Sequence, residues 1–289
     1  MLYYNILNII YYNNYYLMNY LLLDTSYIIF YRYYALIQWW KLAKKDIVLD
    51  ENPFENSEFV EKFKKIFLEQ ISTIKKKLKI HKEECKIIAA RDCHRKNIWR
   101  NELYPEYKET RYKDDVFMGG EFFKLVYNNN FLEKAGVQHI LRNDNLEADD
   151  IIAVTKNYIR NKYPDASIYI ITNDHDYLQL SDNNTKIFNL QFKNLLENKK
   201  VFPEADKNLF YKIVLGDKSD NIMPVFNKCG PKTCEKYYND YNLLEEAFKK
   251  HENSYEKFIL NRKLISFNEI PQQLTNNFLN EYKEVFDNL

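Results

Sequence analysis

Three short apolar runs each lead into an aspartate, and this pattern constrains the fold more than any other feature of the chain. Tyr20–Leu23 ends in Asp24, Lys86–Ala90 reaches Asp92 within two residues, and Ser167–Ile171 leads through Thr172 and Asn173 to Asp174. Short runs without polar alternation suit strands buried on both faces, and segments of helical period lie between them. The expected fold class is therefore α/β, a mostly parallel Rossmann-like sheet flanked by crossover helices. In such a sheet the carboxyl ends of the strands share one edge, where sites form. Three aspartates far apart in sequence are expected to converge there.

More acids accompany them. Leu146-Glu147-Ala148-Asp149-Asp150-Ile151-Ile152-Ala153 opens a helix that runs to about Tyr163 and is ended by Pro164. Acids in a first turn suit the helix dipole, yet three in four positions exceed that need. Glu147 and Asp150, at i and i+3, share a helix face. Asp176 follows Asp174, and Asp217 and Asp220 stand in Gly216-Asp217-Lys218-Ser219-Asp220-Asn221-Ile222, beyond Phe202-Pro203, where the pattern turns wholly helical. So many like charges cannot all ionise together without cations. Oxygen donors without His or Cys suit Mg²⁺ or Mn²⁺, and two such ions about 4 Å apart support in-line displacement at a phosphodiester. Phosphatase or nucleotide-binding chemistry finds no G-x-G-x-x-G or G-x-x-x-x-G-K-[ST], and a serine hydrolase finds no G-x-S-x-G.

Net charge gives no direct sign of a polyanionic partner, since 42 Lys+Arg against 41 Asp+Glu leave +1. A local patch must serve instead. From Arg91 to Lys113 there are seven bases (Arg91, Arg95, Lys96, Arg100, Lys108, Arg111, Lys113) against Asp92, Glu102, Glu106 and Glu109, with Trp99, Tyr104 and Tyr107 among them. Bases for phosphates and rings for nucleobases are the ingredients of single-strand binding. Cys85, Cys93, Cys229 and Cys234 form no C-x-x-C pair and are expected as reduced thiols. Met1–Leu23 carries no charge, but its five asparagines and lack of a basic start argue against a membrane anchor or signal peptide. A start at Met18 gives a compact strand and loop, so residues 1–17 read as an apolar upstream extension.

Four blocks together resemble the 5′ nuclease family of flap endonucleases, bacteriophage 5′-3′ exonucleases and the N-terminal domain of bacterial DNA polymerase I. They are L-L-L-D-T-S at 21–26, R-D-C-H-R-K-N-I-W-R-N-E-L-Y-P-E-Y-K-E-T-R at 91–111, L-E-A-D-D at 146–150 with T-N-D-H-D-Y-L-Q-L at 172–180, and G-D-K-S-D-N-I at 216–222. The resemblance runs from about Met18 to Tyr238. It implies a PIN-like nuclease core over 18–202 with a helical arch at about 95–131, and a helical duplex-DNA-binding lobe of helix-two-turns-helix type over 203–289. By the same resemblance Asp24, Asp92, Glu147, Asp149, Asp174, Asp176, Asp217 and Asp220 bind two or more divalent ions, with Asp150 beside them. Lys108 then serves the scissile phosphate together with the metal acids Asp149 and Asp174. Arg111, Arg95, Arg100, Lys232 and Thr233 meet the DNA, and Tyr107 stacks on a base.

The function implied is metal-dependent 5′-3′ exonuclease or flap endonuclease action on branched, nicked or 5′-flapped DNA and on RNA primers, in replication and repair. The rivals are a catalytically silent branched-DNA binder, disfavoured because every metal position keeps its acid, and a PIN-like ribonuclease, which normally lacks the arch and lobe blocks. A monomer inside the cell is expected, without a membrane partner, working beside a replication polymerase or single-strand-binding protein. The family lobe often holds K⁺ on hairpin carbonyls. Here Met223-Pro224-Val225-Phe226-Asn227-Lys228-Cys229-Gly230 lacks one family glycine and carries an extra residue, which leaves K⁺ open.

Overall fold

The structure, a computed structural model, describes residues 18–113 and 117–289. The apolar extension expected over 1–17 and the centre of the expected arch, 114–116, lie outside the described residues. The strands are β1 (Asn19–Asp24), β2 (Cys85–Arg91), β3 (His139–Arg142), β4 (Ser167–Ile171) and β5 (Thr185–Phe188). They pair in the order β3-β2-β1-β4-β5, every pair parallel. The chain leaves β1 toward β2 on one side and later enters β4 on the other. Such a reversal opens a crevice at the carboxyl ends of the strands.

Helices α1 (Thr25–Ala43) and α2 (Ser57–Lys77) cover one face of the sheet, and short helices follow β2 at α3 (Arg100–Leu103), α4 (Gly120–Asn128) and α5 (Phe131–Lys134). Phe59, Phe63 and Phe67, four residues apart along α2, are wholly buried with Tyr33 and Trp40 of α1 against Leu21, Leu23 and Ile87. That spacing places one apolar stripe on the sheet. Helix α6 (Ala148–Lys162) covers the opposite face, with Ile151, Ile152 and Ile159 against Leu22, Ile88 and Ile170.

Helices α7 (Ala205–Leu215), α8 (Pro231–Asn239), α9 (Tyr241–Lys250) and α10 (Ser254–Ile265) then build a separate small core on Val214, Phe226, Cys234 and Leu244. The expected lobe over 203–289 is altered at its end. Helices α11 (Gln272–Glu281) and α12 (Lys283–Asp287) return to the sheet, where Phe278 and Phe286 join the α6 face and the Tyr20 hydroxyl donates to the Leu289 carbonyl at 3.0 Å. The helical period of this stretch does not say which core its apolar side chains enter. A joint cluster of Ile98, Tyr107, Ile213, Ile222, Leu264 and Ile265 seats the expected arch segment against the helical region. All four cysteines are free, Cys85 and Cys234 buried and the other two half-buried. No helix among the described residues is long and apolar enough to cross a membrane.

Candidate active site

The aspartates do converge. Asp24 closes β1 and caps α1, its side chain accepting from the Tyr27 N–H at 3.0 Å, so the residue that ends the strand also starts the helix. Thr172 and Tyr177, from beyond β4, donate to the same carboxylate at 3.3 and 3.2 Å. Asp92, past β2, accepts from the Ala148 N–H at 2.8 Å and from the Ser26 hydroxyl, which ties β2 to the starts of α1 and α6. Asp174, past β4, caps the next turn by accepting from the Asp176 N–H at 2.9 Å. Glu147 stands at the N-cap of α6, and the Asp150 carboxylate reaches back to the Glu147 N–H at 3.1 Å. Asp24, Asp92, Glu147, Asp149 and Asp174 thus line one cleft of about 470 Å³, with Lys108 and Arg111 on its wall.

The remaining acids lie apart from that lining. One oxygen from each of Asp176, Asp217 and Asp220 falls within 4.8 Å of the others, in a second group beside the helical region. Gly216 positions it. At φ +74° this residue turns the chain where a Cβ would meet the Ile222 carbonyl oxygen at 2.5 Å, and Asp217 and Ile222 exchange backbone hydrogen bonds at 2.9 and 2.7 Å. Only glycine suits such a turn. Lys212 of α7, which the sequence gave no reason to single out, forms ion pairs with Asp176 and, at 2.8 Å, with Asp217. Arg111 pairs with Asp220 and donates to the Ser219 carbonyl at 3.1 Å.

Arg100 and Tyr107 correct the sequence reading. Arg100, expected on DNA, is 1% exposed. Its guanidinium grips Asp150 at 2.7 and 2.8 Å, Glu147 at 3.0 Å and the Leu264 carbonyl at 2.7 Å. Tyr107, expected under a nucleobase, is buried, and its hydroxyl donates to Glu147 at 3.2 Å and to Asp220 at 3.3 Å. The physical reason is shared: buried carboxylates need donors, and the fold brings these two side chains against them. Asp150, which also accepts from the Trp99 indole at 3.0 Å, is itself wholly buried behind the cleft. Arg95 donates to the Lys108 carbonyl oxygen and so shapes the turn from which Lys108 projects. Lys232 and Thr233 stand in the first turn of α8, away from the cleft lining.

Electrostatics separate the two groups of acids. Burial, then the charge of Asp92, pushes Asp24 up to about 7, and burial with Asp150 and Glu147 pushes Asp149 well above the usual carboxylate range. Glu147 is held below its usual range, since Lys108, 2.6 Å away, and Arg100 outweigh its burial. Asp217 goes down to about 2 because Lys212 and the two Ser219 donors outweigh its burial. No base offsets the burial of Asp24, and Arg100 and Lys108 fall short of offsetting the burial and like charges of Asp149, whereas Lys212 holds Asp217 down. A cleft of oxygen donors under such like-charge strain fits a hard divalent cation.

The model of the 5′-3′ exonuclease N-terminal resolvase-like domain matches residues 19–206. This chain belongs to the 5′-3′ exonuclease family. Among its relatives, DNA polymerase I of Lactococcus lactis subsp. cremoris is 29% identical over 163 residues, which is 53% of this chain and 18% of the polymerase. The chain thus spans under a fifth of that relative's length. The 5′-3′ exonuclease of Buchnera aphidicola is 28% identical over 183 residues, 60% of each chain. A bacteriophage T5 protein crystallised with metal ions shares the fold at a TM-score of 0.62 and 15% identity, over 92% of this family member and 99% of the phage chain. The T5 flap endonuclease in complex with DNA and metal ions gives 0.61 at 15% identity, over 93% and 99%.

Proposed function

We propose that this exonuclease-family chain is a divalent-metal-dependent nuclease that hydrolyses phosphodiesters at 5′ ends and flaps of DNA. The observation that carries the reading is the cleft itself, where five carboxylates from four separate stretches of chain meet beside one lysine. Asp24, Asp92, Glu147, Asp149 and Asp174 hold one Mg²⁺ or Mn²⁺ ion, and Asp176, Asp217 and Asp220 hold or steer a second. When bound, the pair of ions supplies Lewis acidity and charge neutralisation for in-line displacement at phosphorus. The other steps belong to the chain. Lys108, paired with Glu147 until substrate arrives, turns its ammonium to the scissile phosphate, and half-exposed Arg111 meets a neighbouring phosphate. Asp150 and Arg100 are positioning residues that fix Glu147 from behind the site.

The T5 flap endonuclease, of the same fold, is complexed with DNA and metal ions, which supports a DNA substrate here. Lys232 and Thr233, at a helix start whose N–H groups suit an anion, would grip the duplex backbone. Labelled 5′-flap, nicked and RNA-primed duplexes test the reading. Release of label with Mg²⁺, none in EDTA and none from Asp149→Ala are the expected results. Cleavage in EDTA, or a fully active Asp149→Ala variant, would overturn it.

A further inference from the structure

The end of helix α2 carries a charge pattern that the nuclease reading does not use. Earlier in that helix basic and acidic side chains answer one another, as Lys64 pairs with Glu61 at 2.6 Å and Lys65 reaches Glu69 at 4.0 Å. After Ile74 the answer stops. Lys75, Lys76, Lys77, Lys79 and Lys82 follow within eight residues that hold no acid, and none of them forms an ion pair among the described residues. All but Lys75 are exposed. In a chain of net charge +1 this is a strong local excess.

Helix capping accounts for part of it only. Lysines in a last turn suit the helix dipole, and Lys75, Lys76 and Lys77 meet that need. Lys79 stands past the turn, in a position that argues against a side chain. The helix closes with the Ile80 N–H donating to the Lys75 carbonyl at 3.0 Å and the Lys79 N–H to the Lys76 carbonyl at 3.1 Å, a closure whose left-handed residue is usually glycine. Lys79 takes that place at φ +63°, so its charge is added against the preference of its backbone.

The lysines lie at the opposite edge of the sheet from the cleft. The charge of Lys75 is felt at the Cys85 thiol, on the first residue of β2, whereas Asp92 follows the last. The seven residues of that strand put about 20 Å between the two edges. Screening over about 8 Å at physiological salt then leaves these lysines little influence on the cleft, and they address a different anion. Between Lys75 and Cys85 there is no arginine to fork a phosphate and no Phe, Tyr or Trp to stack a base. Glu83 and Glu84, both exposed, close the patch on one side. They oppose a nucleic-acid strand, which carries a charge every ~3.4 Å and continues past the lysines, but not a short peptide that ends before them. Half-buried Leu78 offers such a peptide one apolar contact between Lys77 and Lys79.

We propose that the end of α2 is a docking surface for a short Asp/Glu-rich segment of a partner protein, with its carboxylates on Lys76, Lys77, Lys79 and Lys82. No residue of the cleft takes part, so the surface is independent of the nuclease reading. A partner held there leaves the other edge of the sheet open to DNA.

The test is fluorescence anisotropy of the full chain in EDTA at physiological salt, with a fluorescein-labelled decapeptide of alternating Asp and Glu and a neutral Ser/Gly decapeptide of the same length. Wild type should bind the acidic peptide and not the neutral one. Lys76→Gln, Lys77→Gln and Lys79→Gln combined should weaken that binding roughly tenfold, the scale of three exposed ion pairs, while Mg²⁺-dependent cleavage of a 5′ flap stays at the wild-type rate. Lys79→Gly alone should weaken binding about threefold yet melt no lower than wild type, because glycine suits the turn; loss of charge is thereby separated from loss of fold. Lys64→Gln with Lys65→Gln, on the same helix, should bind as wild type does. Equal binding of both peptides by wild type, or undiminished binding by the triple variant, would overturn the proposal. A triple variant that lost affinity for a blunt DNA duplex as steeply as for the peptide would also overturn it, since the patch would then serve nucleic acid.

Discussion

The two groups of acids answer the same electrostatic problem in opposite ways. On the sheet edge, Asp24 and Asp149 are crowded, largely without bases of their own, and hold their protons far above the usual carboxylate range. Beside the helical region, Lys212 and Arg111 neutralise Asp176, Asp217 and Asp220 from within, and Asp217 stays ionised down to about 2. The first arrangement resists ionisation until a cation arrives, and the second carries its own bases. A cation should therefore enter the sheet-edge cleft first and hold more tightly there, and a second ion must compete with Lys212.

The largest test of this contrast is Asp149→Ala. It should lower cleavage by at least about 10³-fold, the scale of losing a key electrostatic group. The same change should leave melting in EDTA unchanged or raised, because it removes a buried carboxyl crowded by like groups. Arg100→Met should break the first group from behind. Leaving Asp150 and Glu147 buried without their guanidinium is expected to cost about 3–5 kcal/mol of stability, measured by urea unfolding, and activity should fall with the fold. The effect of pH comes next. Asp24 is protonated in the folded state up to about 7 but ionises near 4 when unfolded, so metal-free stability should fall as pH rises from about 4 to 7. The loss is on the order of a few kcal/mol, and Mg²⁺ should flatten it. Asp217 works the other way. Its stabilisation is complete above about 4 and disappears as pH falls toward 2. A melting profile in EDTA that climbs between pH 5 and 7.5 would contradict the assignment of strain to the sheet-edge group. The smallest effect is expected from Lys212→Met. Melting in EDTA should drop by a few degrees, and the rise on adding Mg²⁺ should exceed that of wild type, since the second group then also needs a cation.

The sequence pattern was most legible where backbone and site coincide. Short apolar strands leading into Asp24, Asp92 and Asp174 marked the sheet edge, because in a parallel sheet strand direction alone decides where those residues lie. The start of α6 was legible for the same reason, as Glu147, Asp149 and Asp150 mark a helix origin. The direction of side chains in the basic stretch was not. Arg100 and Tyr107 satisfy buried carboxylates from segments about forty to more than a hundred residues away, and neither charge nor spacing within 91–113 encodes that demand. Trp99 beside Ile98 was the available hint that this turn faces inward. Lys212 was missed because a lysine in the last turn of a helix is ordinary dipole decoration, and its partner Asp176 comes from a separate stretch of chain, the turn after β4.

Lys108 shows what the join between the two regions accomplishes. Its backbone adopts φ +57°, a left-handed conformation that costs a non-glycine residue roughly 1–2 kcal/mol. That conformation is held by the Lys108 N–H donating to the Asp220 carbonyl at 2.9 Å, while the ammonium reaches across to Glu147. The residue therefore works as a coincidence detector. Its ammonium reaches the sheet edge from a turn seated on the helical region, so loosening that region would withdraw the charge from Glu147.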